Sequence, residues 1–184
     1  NLAHAYVNKK GVPIVIKADG LAAGKGVVVA TSIEEAHKAI DSMLSQNLFG
    51  TAGARIIIEE FLEGEEASFI VICDGKSILP LASSQDHKRL LNSDLGPNTG
   101  GMGAYSPAPI VTNEIHEKIM DQVITPTIQG MKKNGIEFTG FLYAGIMIDK
   151  NSEIKTLEFN CRMGDPETQP ILFRMKSDLF TILY

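Results

Sequence analysis

The stretch from Pro13 to Glu60 constrains the fold more tightly than any other part of the chain. Two short β-branched runs, Pro13 to Lys17 and Val27 to Ala30, read as strands. Between them lies Ala18-Asp-Gly-Leu-Ala-Ala-Gly-Lys-Gly26, a glycine and alanine loop suited to a hairpin. Ser32-x-x-Glu35 is a capping box, and Ile33, Ala36, Ile40, Met43 and Leu44 recur as an apolar helical stripe. Arg55 to Glu60 reads as a third strand. Strand, strand, helix and strand in this order give a ββαβ lobe, preceded by a helix-like stretch from Asn1.

The rest of the chain reads as a second α+β lobe. Ala67 to Cys73 and Ser77 to Ala82 flank Asp74-Gly75, a hairpin signal. Ser83 to Pro109 is polar and rich in Gly, Pro, Asn and Ser, and is expected to be a long loop without regular structure. Thr112 to Lys133 reads as a helix that Pro126 should kink or break. Phe141 to Ile148 and Ile154 to Asn160 read as strands joined at Asp149-Lys-Asn-Ser152, with a last helix from near Pro166 to Thr168. His4, His37 and His116 are expected on helix surfaces without partners.

Composition narrows the function classes. Of the 184 residues, 44% are apolar and 21% charged, enough for a packed core. The 17 Lys and Arg against 22 Asp and Glu give a net charge of -5, which argues against a nucleic-acid partner. Cys73 and Cys161 lie far apart and outside any CxxC pattern, so a zinc site or disulfide scaffold is not expected. Two lone thiols fit a cytoplasmic protein. No apolar run approaches the ~20 residues needed to span a bilayer, and no membrane partner is expected. Asn1 is no initiator Met and Leu179 to Tyr184 has no stop signal, so the chain is expected to be a piece of a longer protein.

Four groups of residues could carry chemistry. The Gly20 to Gly26 loop, with Lys17 and Lys25, could bring backbone N–H groups and positive charge to phosphates, and equally fits an ordinary hairpin. It is not a Walker A motif, because the spacing differs and no Ser or Thr follows the lysine. Ile56 to Glu66 is an apolar strand entering an acidic turn, which suits an adenine and ribose site or a solvated turn. Glu158, Asn160 and Arg162 alternate onto one face, where hard oxygens suit Mg²⁺ at nucleotide phosphates. Asp86-His-Lys-Arg89 and the glycine-rich Gly96 to Gly103 suit a phosphate ester or a surface loop.

The order of these groups resembles the ATP-grasp ligases. The strings Ile16 to Gly26, Gly64-Glu-Glu-Ala-Ser68, Gln85-Asp-His-Lys-Arg89, Gly96 to Tyr105, Glu158-Phe-Asn-Cys-Arg162 and Gly164-Asp-Pro-Glu-Thr-Gln-Pro170 resemble the glycinamide ribonucleotide synthetase family within them. The resemblance implies an α+β ATP-grasp fold with ATP in the cleft between two lobes, residues 1–62 forming the small lobe and 63–184 a truncated large lobe. The resemblance also implies that the family's N-terminal Rossmann-like domain and C-terminal domain are expected to lie outside this chain. It further implies ATP-dependent joining of glycine to 5-phosphoribosylamine in purine biosynthesis, with Mg²⁺ or Mn²⁺, in a monomer or weak dimer.

Site roles follow by the same resemblance. Lys17, Gly24, Lys25 and Gly26 are expected at the phosphates. Glu59, Glu60, Phe61 and Leu62 are expected at adenine, and Glu66 at the ribose hydroxyls. Glu158 and Asn160 are expected to hold the metal, with Arg162 facing the transferred phosphoryl group. Asp86, His87, Lys88, Arg89, Asn98, Thr99, Gly101, Met102 and Asp165 are expected around the two small substrates. Where many ATP-grasp enzymes carry a further acidic metal ligand, this sequence has Gly145. Two other readings stay open: an ATP-grasp ligase with another acceptor, such as a carboxylase, and a nucleotide-binding module that is inactive alone.

Overall fold

The computed structural model describes residues 2–20, 26–45, 54–93 and 95–184, and of 97 and 98 the backbone alone. They form two compact units, Asn1–Leu62 with Asn98–Gly100, and Glu63–Pro97 with Gly101–Tyr184. Among the described residues, no helix is long and apolar enough to cross a membrane.

The first unit holds α1 (Leu2–Lys10), β1 (Ile14–Ala18), β2 (Val27–Ala30), α2 (Ile33–Leu44) and β3 (Ile56–Glu60). Its antiparallel sheet has the order β2-β1-β3. The capping box starts α2: Ser32 Oγ accepts the Glu35 N–H at 3.1 Å, and the Glu35 carboxylate accepts the Ser32 N–H at 3.3 Å. The stripe Ala36, Ala39, Ile40 and Met43 then packs on Ile14, Ile16 and Ala30 of the sheet and on Val7 of α1. Two histidines depart from expectation. His4 Nε2 lies 3.0 Å from Asp41 Oδ1, and His37 Nε2 lies 3.0 Å from Asn8 Oδ1. Their rings meet edge-on at 4.5 Å, fastening α1 to α2.

In the second unit, β4 (Glu65–Asp74), β5 (Ile78–Pro80), β10 (Thr139–Ile148) and β11 (Ile154–Asn160) form an antiparallel sheet of order β11-β10-β4-β5. Strand β4 is covered on both faces, which is why Ala67 to Cys73 reads as almost unbroken apolar sequence. One face sets Phe69, Val71, Leu142 and Ile146 against Ile115, Ile119, Val123 and Ile128. The other sets Ile70 and Tyr143 against Ile171. His116 also has a partner, its ring 5.0 Å from Phe69.

The helix expected over Thr112 to Lys133 is α3 (Asn113–Ile119), a π segment (Met120–Ile124) and α4 (Thr125–Lys133). Pro126 lacks an N–H, and its ring would clash with the Gln122 carbonyl in an α-helix. The wider π register falls on that turn and accommodates the ring. The polar segment is also more ordered than expected. β6 (Gln85–Asp86) pairs with β9 (Ala104–Tyr105), and β7 (Arg89–Leu91) with β8 (Leu95–Asn98). The chain continues into α5 (Thr168–Arg174) and α6 (Leu179–Leu183).

Candidate active site

The polar row predicted on β11 is present. Asn160 Nδ2 donates to Glu158 Oε1 at 3.4 Å, and Arg162 Nη2 donates to Asn160 Oδ1 at 3.4 Å. Both contacts are long, so the acceptor oxygens keep lone pairs for another partner. Arg162 is steadied by donating to the Met163 carbonyl at 2.9 Å.

Gly145 of β10 pairs with Glu158 on one side and Ser68 on the other, and a register shift between Gly145 and Ile146 re-aims this part of β11. A Cβ at Gly145 would lie 3.3 Å from Glu158 Cγ and 3.7 Å from Glu66 Oε1. Two carboxylates, from β11 and β4, therefore lean over the glycine.

The polar segment brings a cation to them. Lys88 Nζ donates to Glu66 Oε1 at 2.6 Å. Burial disfavours the Lys88 charge, but Glu66, then Glu158 and Asp86, outweigh it and hold the ammonium above its ordinary value. Gln85 fixes this segment to β4 by donating to the Glu66 carbonyl at 3.2 Å, and Tyr105 donates to Gln85 at 2.6 Å. The His87 ring packs 5.3 Å from that of Tyr105. Arg89 donates to the Gly96 carbonyl at 2.7 Å, within the β7–β8 hairpin.

Asp86 stands apart from its neighbours. Its Oδ1 is buried and has no hydrogen-bond partner among the described residues. It packs on Gly101, where a Cβ would lie 3.1 Å from Oδ1, 3.2 Å from the Asp165 carbonyl oxygen and in overlap with Pro166. Gly101 also has φ 123°, so the position suits only glycine. Burial lifts the Asp86 carboxyl most, and Glu167 adds to this. Lys88 opposes the rise, Glu66 reinforces it and the His87 N–H lowers it, leaving a value of about 6.

Sequence reasoning missed a buried network that ties three elements together. Ser68 of β4 donates to Glu167 Oε1 at 2.8 Å, and Tyr143 of β10 donates to the same oxygen at 3.1 Å. Glu167 is the N-cap residue of α5. Burial pushes the Tyr143 hydroxyl well up, so it remains a donor. The available signal was a polar residue inside each apolar strand, Ser68 and Tyr143.

The first unit carries its own candidates. Lys17 of β1 pairs with Glu59 of β3, Nζ to Oε2, at 2.7 Å. Arg55 Nε donates to Asp19 at 2.6 Å, and the Ala18 N–H to the Gly26 carbonyl at 2.8 Å, closing the base of the glycine loop. Gly24 and Lys25 lie outside the described residues. Glu60 ends β3, and exposed Phe61 and partly buried Leu62 follow. Asn98 and Thr99 belong to this unit. The other substrate candidates (Asp86, His87, Lys88, Arg89, Gly101, Met102 and Asp165) belong to the second, with Met102 exposed. Glu66, Asp86, Lys88, Glu158, Asn160 and Arg162 thus gather in one unit, and Lys17 and Glu59 in the other.

The donor set fits a divalent metal only in part. No group of three or more His, Cys, Asp or Glu side chains among the described residues could hold an ion. Glu158 and Asn160 supply two hard oxygens, and Gly145 leaves room above Glu158. Such a site suits Mg²⁺, which keeps waters and takes phosphate oxygens as further ligands.

A nucleotide-binding fold of the ATP-grasp class is what these units and this oxygen-rich strand end define, and the comparisons agree. A profile described as Phosphoribosylglycinamide synthetase, ATP-grasp (A) domain, matches residues 1–168. A phosphoribosylamine–glycine ligase of Ralstonia nicotianae is 70% identical over 181 residues, covering 98% of this chain and 43% of the relative. One from Salmonella typhimurium is 66% identical over 177 residues, covering 96% and 41%. The crystal structure of the Thermotoga maritima phosphoribosylamine–glycine ligase superposes with a TM-score of 0.79 at 38% identity, covering 92% of this chain and 43% of that one. A biotin carboxylase from Campylobacter jejuni, 17% identical with a TM-score of 0.69, covers 98% and 38% and shares the fold. The chain belongs to the phosphoribosylglycinamide synthetase ATP-grasp (A) domain family. It spans about two fifths of the length of these curated relatives.

Proposed function

We propose that this chain is the ATP- and metal-binding part of a ligase that joins glycine to 5-phosphoribosylamine. ATP is spent through a glycyl phosphate, giving glycinamide ribonucleotide, ADP and phosphate. The carrying observation is the Lys88 ammonium held among Glu66, Asp86 and Glu158, beside the Asn160–Arg162 row. Residues 1–62 act as the small lobe and 63–184 as part of the large lobe. The sequences of the relatives support this reading over their matched length.

In the first step, the glycine carboxylate attacks the γ-phosphorus and ADP leaves. Lys17 and the Gly20 to Gly26 loop hold the phosphates, Glu59 to Leu62 hold adenine, and Arg162 faces the transferred group. Glu158 and Asn160 would hold Mg²⁺ or Mn²⁺, which supplies positive charge at the phosphate oxygens. In the second step, the amine attacks the acyl carbon and phosphate departs. No nucleophilic side chain is needed; catalysis is positioning and charge neutralisation in a site that excludes water. Asp86 to Arg89, Asn98, Thr99, Gly101, Met102 and Asp165 are the residues assigned to the small substrates. Cys73 and Cys161 are both free thiols, which supports a reducing, cytoplasmic setting. A monomer or weak dimer completes the reading.

Phosphate release by the full-length protein tests the reading. It should require glycine and phosphoribosylamine together. Equal release with bicarbonate in place of glycine would assign the fold to a carboxylase instead.

A further inference from the structure

The ligation step leaves one proton to be placed. When an amine attacks an acyl phosphate, the new C–N bond leaves the nitrogen positively charged. An N–H proton must depart, and the phosphate leaves with the electron pair of its C–O bond.

The carboxylates around Lys88 differ in how they are engaged. Glu66 is bound by Lys88, Glu158 by Asn160, and Glu167 by Ser68 and Tyr143. Asp86 Oδ1 is buried without a hydrogen-bond partner among the described residues. Its surroundings come from four elements: Lys88 and the His87 N–H beside it in sequence, Glu66 on β4, Glu167 at the head of α5, and the backbone of Gly101. A side chain at position 101 would crowd Oδ1, so the glycine lets the carboxylate occupy this place.

Resting on the ligase reading, we infer that Asp86 is the base that takes the proton from the attacking amine. The C–N bond forms, an N–H bond breaks, and the proton passes to the Asp86 carboxylate as phosphate leaves. Product release then returns the proton to water. A carboxyl held at about 6 is ionised at neutral pH yet binds a proton more firmly than an ordinary aspartate, which suits base catalysis.

The test compares the full-length protein with its Asp86→Asn variant in two assays. Glycine-dependent oxygen scrambling between the bridging and terminal positions of the ATP β,γ-linkage reports acyl phosphate formation. Amide yield reports ligation. Whatever scrambling the variant loses, it should lose ligation by about 10²–10⁴-fold more. Equal loss in both assays would overturn the assignment. In the parent protein, ligation should fall below about pH 6 while scrambling persists. A ligation rate flat through that range would also overturn it, with no variant needed. Absence of glycine-dependent scrambling in the parent would sink the ligase reading itself.

Discussion

Gly64 illustrates how a single residue without a side chain sets the entry to β4. Its φ is 155°, and a Cβ there would overlap the Ile148 carbonyl oxygen, a backbone atom that cannot swing aside. Gly64→Ala should therefore destabilise the fold by roughly 1–3 kcal/mol in denaturant unfolding. At Asp86 the prediction concerns pH. An acid whose folded value is raised is penalised for ionising. Below about pH 4 the unfolded carboxyl is protonated too, and the penalty vanishes. Above about 6 it acts in full. Asp86→Asn should thus stabilise the protein near pH 8, with the gap closing towards about pH 4. The residues of this site were unevenly legible. Glu158, Asn160 and Arg162 could be read because strand alternation is local. Ser68, Tyr143 and Glu167 could not, since the contacts of Ser68 span 75 and 99 residues of sequence.

Elements were most legible where one local rule decided them. The Ser32–Glu35 box, the apolar stripe of α2 and the Asp74-Gly75 turn each carry their own signal. Strands of two residues, such as β6 and β9, are too short to show alternation, and they form because Tyr105 donates to Gln85, which in turn donates to β4. That is why Ser83 to Pro109 read as a loop. The π segment was hidden for a different reason: Pro126 marks a break, but the register that absorbs it depends on the packing of both flanking helices. Strand β4 carries the energetic weight of its unit. Phe69 is fully buried at the centre of the core. Phe69→Ala should cost about 3–5 kcal/mol, read as a lowered unfolding midpoint with an unchanged denaturant slope.

At the scale of the whole molecule, both units are α+β layers whose sheets carry functional candidates at strand ends. The family and fold were legible because long motifs recur in one order along the chain. The electrostatics around Lys88 were not, because they arise from residues far apart in sequence, at 66, 86, 88 and 158. The central claim is that the chain is the metal-dependent ATP-binding part of a ligase, and calorimetric titration of the chain with ATP tests it most directly. With Mg²⁺ present, ATP should bind with measurable heat, and at about 100 times its dissociation constant it should add roughly 2.7 kcal/mol to stability. Glu158→Gln should remove the metal dependence. Failure to bind Mg-ATP at millimolar concentration, or metal-dependent binding unchanged in the variant, would contradict the account.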